Sequence, residues 1–111
     1  MTYDPAMLGR LLDSFKDAVC FCDTGHIIRY MNTAAHERFA GRPAEVGRSI
    51  FDCHNDASNA QIVEVLERFR DGETEVLLRD DEVQRIYMRA VRDEEGIVTG
   101  YYERYEPPRG Q

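Results

Sequence analysis

Cys53 and His54 stand side by side in a chain that holds only three cysteines and three histidines. A thiolate is a soft ligand or a redox centre, and an imidazole titrates near neutrality and ligates haem or metal ions, so the pair admits two kinds of chemistry. In one, His54 is an axial haem or metal ligand, or a pH-sensitive hydrogen-bonding group, with Cys53 as a second soft ligand or redox thiol. In the other, His54 bonds a loop carbonyl and Cys53 packs as a small hydrophobe. One residue of each type does not complete a coordination sphere.

Cys20 and Cys22 form a C-x-C in an apolar run, which puts both side chains on one strand face with their Cα atoms about 7 Å apart. No second C-x-C completes a zinc set, so they read as apolar packing beneath an N-terminal helix or a partner subunit. His26 falls in a turn and reads as solvated. His36 reads as a polar surface position on a helix. The chain has no Gly-rich phosphate loop, no H-E-x-x-H and no interpretable Ser-His-Asp set, and its carboxylates fall in turns and on solvated helix faces. It reads as non-enzymatic.

These groups must be held by elements that the punctuation outlines. Asp23 and Gly25 carry turn chemistry, the Asx side chain by bonding the backbone ahead of it and Gly by accepting positive φ. Residues 19–22 and 27–31 on either side suit strands. Asn32 then caps a helix over residues 33–39 in which Ala35 and Phe39 share a face, and Pro43 suggests a further helical piece through Val46. Asp4-Pro5 starts an N-terminal helix whose Leu8, Leu11, Leu12, Phe15 and Val19 recur at helical spacing. Ser58 and Gln61 form an S-x-x-Q capping box for the longest helix, with Ile62, Leu66 and Phe69 on its apolar face and Gly72 past its end. After Gly72 the period changes to two, and residues 74–78, 83–91 and 97–105 read as antiparallel strands.

Bulk properties narrow the class. At 111 residues the chain is one domain with one modest core. Residues 1–17 form an amphipathic helix, 18–106 the domain proper and 107–111 a tail or linker. With 21 acidic against 14 basic residues and a net charge of −7, it lacks the overall positive field that nucleic acid binding relies on. No apolar run approaches the roughly 20 residues of a membrane helix, and no secretory signal is visible, so cytoplasmic location with reduced thiols is expected.

An α+β fold follows: a five-stranded antiparallel sheet with helices on one face, the second strand at one edge and the first beside the last. The helices enclose a small cavity against the sheet, lined by Ile62, Leu66, Ile86 and Met88, with Cys53 and His54 on the wall opposite the sheet. Tyr87, Tyr101, Tyr102 and Tyr105 give the sheet an aromatic outer surface suited to an interface. With the N-terminal helix this predicts a homodimer.

The D-x-G-x-x-I-x-x-x-N pattern at residues 23–32, Gly41-Arg42, Val46-Gly47-Arg48-Ser49 and the Arg92-Asp93-Glu94-Glu95-Gly96 turn together resemble the PAS domains, small sensory modules of signalling proteins. Phe51-Asp52-Cys53-His54 followed by Ser58, with Phe69-Arg70-Asp71-Gly72, resembles a bacterial subgroup found fused to hemerythrin-like or uncharacterised domains. The resemblance implies signal input through a small ligand or cofactor in the cavity, dimer contacts, and output through a downstream signalling domain or protein. Alternatives are a ligand-free dimerisation or interaction module, and a haem-binding sensor using His54. Haem-binding PAS oxygen sensors carry their ligand His within the long helix, whereas this helix has none after Ser58. The family does not name the ligand.

Overall fold

The computed structural model describes residues 4–110. Residues 1–3 of the expected N-terminal segment and residue 111 of the tail lie outside the described residues. The elements run α1 (Pro5–Asp13), β1 (Val19–Asp23), β2 (Ile28–Met31), α2 (Thr33–Arg38), a 3-10 turn (Ile50–Cys53), α3 (Asp56–Arg70), β3 (Glu75–Asp80), β4 (Arg85–Arg92) and β5 (Val98–Glu106). The strands form one antiparallel sheet in the order β2-β1-β5-β4-β3, so the expected architecture and the β1–β5 pairing are observed.

The turn at residues 23–28 works differently from the sequence expectation. Asp23 Oδ1 accepts from the Gly25 and Ile27 amides at 2.9 and 3.1 Å, but the residue with positive φ is His26, at 66°. A Cβ at Gly25 would lie 3.3 Å from Asp23 Oδ1, a tight contact that glycine avoids. Asn32 caps α2 by accepting from the Ala35 amide at 3.0 Å. The same buried side chain accepts from the Val19 amide at 2.9 Å and donates to the Leu12 and Asp17 carbonyls, both at 3.0 Å. One amide thus joins the end of α1, the start of β1 and the start of α2.

Two other local expectations are corrected. Residues 43–46 are not helical: Gly47 donates to Ile28 O, Ile28 to Arg48 O, and Ile50 to His26 O, so this stretch runs along β2 and satisfies its backbone there. The cap of α3 is Asn55, whose Oδ1 accepts from the Ser58 amide at 2.8 Å; the helix begins before the Ser58–Gln61 box because Asn is an equally good cap and Asp56 suits the first turn. At its other end, Glu73 donates to Arg68 O and Gly72, at φ 115°, to Phe69 O, a Schellman ending. The helix α1 has no fully buried residue: Met7 and Leu11 are each 55% exposed, and Phe15, beyond its end, 44%. Tyr30 Oη donates to Asp13 Oδ1 at 2.5 Å.

The core lies between α2, α3 and the inner sheet face. Ile62, Val65, Leu66 and Phe69 of α3 pack with Cys20, Cys22, Met31, Met88 and Tyr101 of the sheet. Cys20 and Cys22 therefore share a face as expected but sit in this core, not beneath α1. The aromatic outer surface is also corrected. Successive strand residues alternate faces, so Tyr101 and Tyr105 turn inward and are buried, while Tyr87 and Tyr102 face outward among charges. There the Arg104 guanidinium lies 4.1 Å from the Tyr87 ring centroid and pairs with Glu75 at 2.6 Å and with Glu106.

Candidate functional site

A cavity of about 340 Å³ opens between the helical segment and the inner sheet face. Its helical wall is built by the 3-10 turn and the first half of α3. Ser49 caps the 3-10 turn by accepting from Phe51 N, and the chain then turns extended at His54 before Asn55 starts α3. This places Cys53, His54, Ser58 and Gln61 at the cavity, above Ile62. Of the residues read from the sequence, Cys53, His54, Ile62 and Ile86 line the cavity, whereas Leu66 and Met88 are sealed in the packed core and do not line it.

The Cys53-His54 pair converges on one oxygen. His54 Nδ1 lies 2.9 Å from Ile50 O and Cys53 Sγ donates to the same carbonyl at 3.1 Å, leaving Sγ and Nδ1 3.4 Å apart. The loop-carbonyl bond expected of His54 is thus present. The Cys53 thiol beside the ring and the Ile50 carbonyl push the imidazole up to about 9 against the opposing effect of burial. No group of three or more His, Cys, Asp or Glu among the described residues could hold a metal ion.

The sheet wall carries what the sequence reading missed. Glu103 on β5 is 3% exposed and lines the cavity. Its Oε2 accepts from Tyr105 Oη at 2.6 Å, while Oε1 is buried without a hydrogen-bond partner. Burial pushes its carboxyl up, with the Tyr105 hydrogen bond and the His54 charge acting in the opposite direction. Cys20 lies on the same wall, and its thiol is raised by the neighbouring Cys22 thiol and by burial. Arg38 and Arg42 stand at the exposed side of the cavity. The available signal was parity: in the run 101–105, Tyr101 and Tyr105 share a face with Glu103, so burying the two rings buries the carboxyl between them.

His26, expected in solvent, is half-buried. Its Nδ1 is 2.9 Å from Tyr101 Oη and its ring centroid 4.6 Å from that of Phe51, and burial pulls its titration below the ordinary range. It ties the turn to the 3-10 segment. His36 is exposed, as expected.

No helix among the described residues is long and apolar enough to cross a membrane. No curated protein matches the chain. Among solved structures, it is similar to a C-terminal domain from Streptococcus mutans, with a TM-score of 0.75, 21% identity, and coverage of 96% of this chain and 90% of that one. It is similar also to a sensory box sensor histidine kinase from Vibrio cholerae, with a TM-score of 0.58 and 17% identity over 92% of this chain and 89% of that one. An RNA-binding light-oxygen-voltage receptor matches with a TM-score of 0.64 and 19% identity, over 93% of this chain but 32% of the receptor. The family model for the PAS domain matches residues 8–106. Since that match runs from within α1 to the last residue of β5, the chain belongs to the PAS domain family, sensory modules that serve signal input.

Proposed function

We propose that this PAS domain senses a small molecule held in the cavity between α3 and the sheet. The observation that carries this reading is Glu103 Oε1, a carboxylate oxygen buried at the cavity with no partner. A buried polar group left unpaired costs about 1–3 kcal/mol, more when charged, and a bound ligand supplies the missing partner. The volume agrees, since about 340 Å³ lies at the lower end of the roughly 300–1,000 Å³ typical of ligand pockets. Cys53, His54, Ile62 and Ile86 contribute to the site; Leu66 and Met88 support it from the core.

The residues present do not fit a haem. Bonding of Nδ1 to Ile50 O would leave His54 Nε2 to ligate iron, but a porphyrin in this small cavity would lie against the unpaired Glu103 carboxyl instead of an apolar wall. The test is direct. Protein purified from its expression host is denatured, and the released small molecules are identified by mass spectrometry alongside an absorption spectrum of the intact protein. A stoichiometric, colourless small molecule is expected; a Soret band would overturn the assignment in favour of haem, and an empty cavity that no compound fills would overturn ligand sensing.

A second role is favoured by a separate observation, the exposed Met7, Leu8 and Leu11 of α1 and Phe15 just past its end. PAS domains commonly dimerise or pass signals to partners, and this apolar stripe suits a second copy of the chain. Removing residues 1–17 and measuring mass by light scattering is expected to turn a dimer into a monomer; an unchanged mass would overturn the helix-mediated contact.

A further inference from the structure

The unpaired groups around the cavity differ in sign from one side to the other. On the inner side the buried orphan is an acceptor, Glu103 Oε1; a second buried acceptor without a donor, Gln84 Oε1, lies nearer Arg38, with which Gln84 also lines a neighbouring groove. On the exposed side are two guanidinium groups, those of Arg38 and Arg42, that pair with no carboxylate among the described residues, unlike the neighbouring Arg79, which pairs with Asp81. Their contacts are with rings: the Arg38 guanidinium lies 4.5 Å from the Tyr105 centroid and that of Arg42 5.9 Å from Phe39. Tyr105 spans the two sides, with Arg38 over its ring and Glu103 on its hydroxyl at 2.6 Å. Free positive and negative groups are therefore separated by about one tyrosine side chain.

We propose that the cavity takes a small zwitterion, its ammonium donating to Glu103 Oε1 and its carboxylate accepting from Arg38 and Arg42. This rests on the reading of the cavity as a ligand site and names the class of ligand. An ammonium presents three donors, which suits a pocket end whose orphan is an acceptor. At the other end a planar guanidinium matches a carboxylate in bidentate fashion. In a chain of net charge −7, two unpaired arginines at a cavity mouth also favour entry of the anionic end first reached by solvent.

The test is calorimetric titration of the full chain with α-amino acids and with linear ω-amino acids from glycine to 6-aminohexanoate. Each is paired with the carboxylate lacking its amine and the amine lacking its carboxylate. At least one zwitterion is expected to bind about tenfold or more tighter than both single-charge analogues, the scale of one charge-assisted hydrogen bond. Glu103→Gln is expected to erase the advantage over the carboxylate, and joint Arg38→Ala and Arg42→Ala the advantage over the amine. The wild-type comparison stands even if a variant fails to fold. Carboxylates binding as tightly as zwitterions would overturn the proposal and leave the ligand cavity standing, as would recovery of a different class of molecule from the purified protein. No binding and no recovered molecule would overturn both.

Discussion

Tyr105 Oη donates to Glu103 Oε2 at 2.6 Å, which satisfies one oxygen of a carboxyl whose other oxygen meets nothing. The two residues are neighbours on one strand face, so the bond is set by the pleat of β5 rather than by a flexible loop. Such placement holds the free oxygen at a fixed point in the cavity before any ligand arrives, which lowers the ordering cost of binding.

Tyr105→Phe should leave Glu103 with both oxygens unpaired. We expect a loss of about 1–3 kcal/mol in unfolding free energy, read from urea denaturation at neutral pH. The double change Tyr105→Phe with Glu103→Leu in the same assay should be less destabilising than Tyr105→Phe alone, because it removes both partners of the buried bond and leaves no unpaired hydroxyl or carboxyl. A double variant less stable than Tyr105→Phe would contradict this account.

Stability should depend on pH in opposite senses on the two sides of pH 6.5. The folded His54 titrates near 9, above the ordinary 6.5, so its contribution is fully present below 6.5 and lost as pH rises through 9. His26 is shifted down, so its contribution is present above 6.5 and lost as pH falls. Melting temperatures across pH 5 to 10 should therefore fall on the alkaline side, and His54→Gln should flatten that limb while leaving the acid limb in place. An alkaline limb unaltered by the substitution would show that other groups carry it.

Gly100→Ala should be severely destabilising. A Cβ at this position would sit 2.3 Å from the Cys22 carbonyl oxygen and 2.7 Å from Phe21 Cζ, and the first of these is backbone that cannot swing away. The β1–β5 pairing would have to shift, at a cost of about 1–3 kcal/mol or more. Thermal denaturation followed by circular dichroism measures it.

Asn32→Asp keeps the acceptor for the Val19 and Ala35 amides but sets a carboxylate against the Leu12 and Asp17 carbonyls. We expect α1 to detach while the sheet persists. Hydrogen exchange should rise in residues 5–13 and stay low in β5; equal protection of α1 in both proteins would argue that Asn32 does not hold the helix.

Much of this fold was legible because its signals are local. The Asp23 turn, the Asn32 cap on Ala35 and Gly72 act on residues within a few positions, and the strand runs change period where the chain leaves α3. Cys53 and His54 were legible for the same reason, being adjacent. What was hidden depended on partners far along the chain. Residues 43–46 lack a helix because the following stretch pairs with β2, and Asn55 preempted Ser58 by a choice between two good caps. The inward turn of Tyr101 and Tyr105 follows from which face of β5 the helices cover, and the tyrosines alone do not say. Glu103 was hidden with them, since a glutamate in a strand ordinarily marks the wet face. Arg38 and Arg42 come to the cavity only through tertiary folding.

Glu103 and Arg104 are consecutive residues on β5, one turned to the cavity and the other to the ion pairs on the outer face. β5 is also bonded on both sides, to β1 and β4. Inside and outside are thus separated by a single peptide unit, and any ligand that pulls on Glu103 tugs at the seat of Arg104. On the proposed reading of the cavity, a change at Glu103 would need to cross only one residue to reach the outer face.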